Sequence, residues 1–357
     1  MEESLQKSDV FAGLSYREVL ALHVPQGVHS VTSQPEGMSP MRLETAIALP
    51  IAMEEDAQNR VFVQLPGFPN NLADEGRTTE HVASTVAPNR HVLRAAALAR
   101  ATGQPVHAFG FPSGPHADTL PHSLREEVTN GDYSGLVRYY VTALTKQGVK
   151  EVDVDGYSLG AAMTPDFCNA CADAGIEVKS IFWGAIANVA YTDGLGRLAK
   201  RFLSIGDQAD YDRYAAESVA LTQEAERHKK ETTDIGRIAV VAMLEDKVVP
   251  LAKKFGGLLT PTQFAMGRSI VYGKWLEGPL EEGQKSPGQK MAAFLQRSPQ
   301  TQIHMYVGSN DALAPLGAMQ QTANELGVAL TVFEDRNHSV RDDLAFMNTY
   351  ITKRLAA

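Results

Sequence analysis

The chain has 357 residues, 44% hydrophobic and 21% charged, a composition that supports a sizeable buried core and excludes disordered and fibrous classes. Its 33 basic and 42 acidic residues give a formal charge of −9, which argues against nucleic acid or an anionic membrane surface as the main partner, because either needs a basic face. The opening MEESLQKSDVF has no basic and apolar signal pattern, and no run approaches the roughly 18 apolar residues of a membrane span, so a soluble cytoplasmic protein is expected.

ALHVPQGVHSV and MRLETAIALPI read as opening strands, and RVFVQLPGF as an apolar strand closed by a Pro-Gly turn. VASTVAPNRHVLRAAALARATG has helical spacing and a glycine stop; QPVHAFGFP is a short strand, and DYSGLVRYYVTALTKQG a helix closed by Gly148. KEVDVDGYS predicts a strand, GAAMTPDFCNACADAG a helix and VKSIFWGAI a strand. Cys168 and Cys171 have C-x-x-C spacing, but they fall in a helical pattern without a second ligand pair. Structural thiols are expected there, with a redox pair or half a zinc site as the alternative.

From Asn188 to Pro299 the rhythm lapses into charged helical runs, the apolar run IGRIAVVAML and the Gly/Pro-rich LEGPLEEGQKSPGQ. It then resumes: TQIHMYVGSND strand, LGAMQQTANELG helix, VALTVFED strand, VRDDLAFMNTYITKRLAA helix. This predicts an α/β protein with a mostly parallel sheet covered on both faces. Residues 1–187 and 300–357 would form the core, with 188–299 a largely helical insertion.

VDVDGYSLGAA sets Ser158 between Gly156 and Gly160 where a strand becomes a helix. A serine on so sharp a turn exposes its hydroxyl above the sheet edge, and the flanking positions must be small because strand and helix nearly touch. The hydroxyl needs a base to take its proton and an acid to orient that base. His338, after the strand ALTVF, and Asp311, after QIHMYV, stand in suitable loops. Asp246, in MLEDKVVP, is a rival acid if IAVVAML is a strand of the main sheet rather than a helix of the insertion. His304 and His107 fall within predicted strands, and His91 and His228 within helical runs.

The order Ser158, Asp311, His338, each following a strand, resembles the α/β-hydrolase superfamily over most of residues 20–185 and 300–357. The resemblance implies an oxyanion hole from the backbone N–H groups of Leu159 and Phe68, the latter following Gly67 in Leu65-Pro66-Gly67-Phe68-Pro69. Phe68 also reads as a core aromatic, and Pro66 stands where the family commonly has histidine. The resemblance further implies that 188–299 caps the site, and that a small-molecule carboxylic ester or thioester is hydrolysed without a metal or organic cofactor. An acyltransferase or perhydrolase on the same triad, and a non-catalytic binding protein of this fold, are the alternatives. Oligomeric state is not legible in the sequence.

Overall fold

The computed structural model describes residues 28–50, 59–67, 90–110, 120–129, 131–186, 285–311, 316–336 and 344–356, with 112, 117–118, 314 and 340 between them. Its strands are β1 (Val28–Ser33), β2 (Met41–Ala48), β3 (Arg60–Gln64), β4 (Val106–Phe109), β5 (Glu151–Tyr157), β6 (Glu177–Gly184), β7 (Gln302–Gly308) and β8 (Leu330–Phe333). They form one eight-stranded sheet in the order β1-β2-β4-β3-β5-β6-β7-β8. β2 runs antiparallel to both β1 and β4, and all later pairings are parallel.

The helices are α1 (Arg90–Thr102), α2 (His122–Thr129), α3 (Ser134–Lys146), α4 (Leu159–Asp173), α5 (Pro287–Arg297), α6 (Leu316–Leu326) and α7 (Leu344–Leu355). α1 and α7 pack together on one face of the sheet, where Tyr350 of α7 meets Phe182 and Tyr306. α3, α4, α5 and α6 follow one another along the other face. The strand-helix alternation expected from the sequence is present, and α2, which that pattern leaves unassigned, lies against α3. Central strands carry buried residues on both faces: Val61, Phe62, Val63 and Gln64 of β3 are all enclosed, as expected of a doubly covered parallel sheet. Gly103 and Gly148, the expected stops, have φ of 70° and 79° just past α1 and α3, a conformation that side chains resist. Among the described residues no helix is long and apolar enough to cross a membrane.

α4 and α5 contain the remaining local signals. Cys168 and Cys171 are buried free thiols in α4, and burial pushes both well above the ordinary thiol range, which disfavours the thiolate that redox or metal chemistry needs. α5 starts with a reciprocal cap: Gln289 N–H donates to Ser286 Oγ (3.1 Å) and Ser286 N–H to Gln289 Oε1 (3.0 Å), with Pro287 in the first turn. Its Lys290 donates to buried Asp166 of α4 at 2.8 Å, and Tyr133 N–H donates to the same carboxylate at 3.2 Å. Burial raises the Asp166 pKa despite the opposing pull of Lys290.

Lys290→Met is therefore expected to lower the unfolding free energy by about 1–3 kcal/mol near neutral pH, since the carboxylate loses its cation. A raised acid contributes stability below its unfolded pKa and loses it as pH climbs through its folded pKa. The deficit relative to the parent should thus shrink as pH falls towards that raised value, because a neutral carboxyl needs no cation. Urea titrations at about pH 7.5 and about pH 5 measure it.

Candidate active site

Every parallel strand delivers its carboxyl end to one edge of the sheet, and the loops carrying the described candidate residues begin there. β5 ends at Tyr157 and α4 begins at Leu159, leaving Ser158 alone to make the turn. Its backbone has φ 58° and ψ −122°, a region that costs a residue with a side chain about 1–3 kcal/mol. Hydrogen bonds hold it there: Ser158 N–H donates to Ala185 C=O (3.0 Å), and Ser158 C=O accepts from Ala161 N–H (3.1 Å). The half-buried serine is thus built into the turn under strain.

The flanking glycines have separate steric causes. A Cβ on Gly156 would overlap the Thr164 hydroxyl, which donates to Gly160 C=O at 2.9 Å as α4 crosses β5. A Cβ on Gly160 would lie 2.8 Å from the carbonyl oxygen of Leu65 and 3.2 Å from that of Pro66. Those are main-chain atoms that no rotamer change can move. Gly160→Ala is accordingly expected to displace Leu65-Pro66-Gly67 and cost about 1–3 kcal/mol, read as a lowered urea midpoint. A midpoint equal to the parent's would mean that the loop yields freely.

The start of α4 depends on a residue the sequence pattern does not mark. Pro165 has no N–H to bond Ala161 C=O one turn earlier, and the Trp183 indole N–H of β6 donates to that carbonyl instead, at 2.7 Å. The first turn of the helix is thereby fastened to the neighbouring strand. Leu159, its first residue, is fully buried and has an N–H without an intrahelical acceptor, at the helix end that favours negative charge.

Asp311 follows β7 and is buried, its N–H donating to Gly308 C=O (3.1 Å) and its Oδ1 accepting from Ala314 N–H (2.9 Å). The loops after β7 and β8 are laced together. Ser309 N–H donates to Phe333 C=O (3.0 Å), Asn310 N–H to Arg336 C=O (2.9 Å), and Asp335 N–H to Ser309 Oγ (2.9 Å). Gly67 is buried just beyond β3, on the segment that touches Gly160. Phe68, His338 and Asp246 lie outside the described residues, as does most of the insertion. His304 and His107 sit within β7 and β4, as the sequence predicts. Burial, aided by Arg354, lowers the pKa of His304, and its ring packs 5.0 Å from Phe182. Among the described residues no cluster of three or more His, Cys, Asp or Glu is placed to hold a metal ion.

No protein-family model and no curated protein sequence matches the chain. Solved structures match in shape. A thermophilic esterase from Thermogutta terrifontis superposes with a TM-score of 0.52 at 12% identity, covering 92% of this chain and 98% of the esterase. A bromoperoxidase from Bacillus anthracis gives 0.50 at 9% identity over 92% of this chain and 100% of its own. An esterase from Exiguobacterium antarcticum gives 0.50 at 10% identity over 92% and 99%. At such identities the likeness is one of fold.

Proposed function

We propose that this chain, which has the α/β-hydrolase fold, is a serine hydrolase that cleaves a carboxylic ester or thioester of small to medium size through an acyl-enzyme on Ser158. The observation that carries the reading is the backbone of Ser158, held at φ 58° on the strand-to-helix turn. Strain of this kind persists only where the surrounding structure enforces it, and it concentrates at functional sites.

In the proposed reaction His338 takes the Ser158 proton as Oγ attacks the substrate carbonyl carbon. The N–H groups of Leu159 and Phe68 receive the oxyanion. His338 then protonates the leaving alcohol or thiol, and a water molecule activated by the same imidazole releases the acid. Asp311 orients the imidazole and stabilises its charged form. Chain connectivity supports this pairing: Asn310 N–H holds Arg336 C=O, and His338 follows two residues later, a reach of about 7 Å at full extension. The close approach of Leu65 and Pro66 to Gly160 supports the two-sided oxyanion hole, because Phe68 follows directly from that segment. Of residues 188–299, the end that forms α5 packs on α4 as part of the core, and the remainder would form the cap that selects the substrate.

A fluorophosphonate probe with peptide mapping, run beside p-nitrophenyl esters of increasing chain length, tests the reading. Labelling confined to Ser158, with turnover that tracks it, is the expected result. A folded protein that neither labels nor turns over any ester would leave a binding protein of this fold. Labelling with preferential transfer to added alcohols would indicate an acyltransferase.

A further inference from the structure

We infer that Tyr306 is a positioning residue for the nucleophile turn, holding β5 to the acid-bearing strand β7 through the carboxylate of Asp155. The inference rests on Ser158 being the nucleophile.

Tyr157, Gly184 and Tyr306 stand in one row across β5, β6 and β7, because Tyr157 pairs with Gly184 and Gly184 with Tyr306. Side chains in such a row share a face of the sheet. A Cβ on Gly184 would overlap the Tyr306 ring, so the missing side chain lets that ring lie over β6 and reach β5. There it makes two contacts with the segment that leads into Ser158. The ring stacks on Tyr157, the residue before the serine, with centroids 5.9 Å apart and planes at 23°. The hydroxyl donates to Asp155 Oδ1 at 3.2 Å, three residues before the serine.

The main chain adds a third connection. Tyr306 C=O accepts from Ala185 N–H at 2.9 Å, and Ala185 C=O accepts from Ser158 N–H at 3.0 Å. Ala185, just past β6, has a positive φ of 22°, so the chain leaves strand geometry where it makes this relay. Tyr306, Asp155 and Tyr157 are all buried. From behind, Tyr350 and Phe333 pack on the Tyr306 ring at 5.6 and 5.8 Å, closing off movement away from β5. β7 ends two residues later at Gly308, whose carbonyl accepts the Asp311 N–H. One side chain thus ties the strand that bears the serine to the strand that bears the acid. Its hold on β5 falls on Asp155 and Tyr157, the residues leading into the turn, so its action on the serine is through position.

Tyr306→Phe keeps the ring and removes the hydroxyl. It is expected to lower kcat about ten- to a hundredfold, the scale of a small misplacement at the reacting atoms, with the rate of fluorophosphonate labelling falling in parallel. KM should stay within about twofold, because no binding contact is removed. Tyr350→Phe is the control for general softening: it removes another part-buried hydroxyl of the same cluster, donated to Thr331 at 3.4 Å, and is expected to leave kcat within about twofold.

Asp155→Ala removes the other end of the Tyr306 hydrogen bond and has the same expected effect, so it serves where Tyr306→Phe yields too little folded protein. The double variant should be no worse than the poorer single one. A kcat within about twofold of the parent for Tyr306→Phe, equal losses in Tyr350→Phe, or additive losses in the double variant would each overturn the inference. Ser158→Ala in the same assay separates the two questions. Its inactivity beside a fully active Tyr306→Phe sinks the positioning role alone, whereas its activity sinks the reading of the nucleophile itself.

Discussion

Ser158→Ala is expected to lower kcat about a million-fold while leaving the protein folded, since removing the attacking oxygen costs about as much as removing the whole catalytic unit. The alanine keeps the Cβ and both backbone hydrogen bonds of the turn, so folding should be undisturbed. Ser158→Gly should be equally inactive but about 1 kcal/mol more stable than Ser158→Ala, because glycine adopts φ 58° without steric penalty. Steady-state turnover and urea unfolding of the two variants read the effects separately. Retention of more than about a hundredth of parental kcat in Ser158→Ala would place the chemistry elsewhere.

Asp311→Asn is expected to lower kcat about ten-thousandfold, with Asp246→Asn within about tenfold of the parent. Asparagine is the informative replacement. Its amide oxygen can still accept from Ala314 N–H, which Asp311 Oδ1 accepts at 2.9 Å, so the loop keeps its shape while the charge that orients and stabilises an imidazolium is lost. The proposal of Asp311 draws support from the bonds of its neighbours Ser309 and Asn310 to Phe333 and Arg336, on the segment that runs to His338; Asp246 lies outside the described residues. The opposite ranking of the two variants in a kcat comparison would transfer the acid to Asp246.

Much of the fold was legible in the chain. Apolar runs such as Val61-Phe62-Val63 and the helical spacing of Leu136, Tyr140 and Leu144 record which faces are buried, and they match β3 and α3. The short amphipathic helix α2 was not legible, because eight residues hold little more than two turns of pattern. VDVD in β5 has the alternation of a strand with one solvated face, yet Asp153 and Asp155 are both buried. Arg60 pairs with Asp153 in a two-pronged ion pair (2.9 Å to each oxygen), and Tyr306 donates to Asp155; these partners lie 93 and 151 residues away in the chain.

The sequence by itself determined the strand-helix alternation, the placing of a serine between two glycines at a strand-to-helix bend, and the chain order of the acid and base candidates. These are properties of contiguous residues, where backbone sterics and periodic burial act over a few positions. Tertiary structure alone decided why each glycine is needed: Thr164 of the crossing helix occupies the space above Gly156, and the Leu65–Pro66 backbone occupies the space beside Gly160. It also decided that Tyr306 passes over Gly184 to reach the strand before Ser158. Such contacts arise from strand register and from the depth at which helices pack on the sheet, and no local run of residues encodes either.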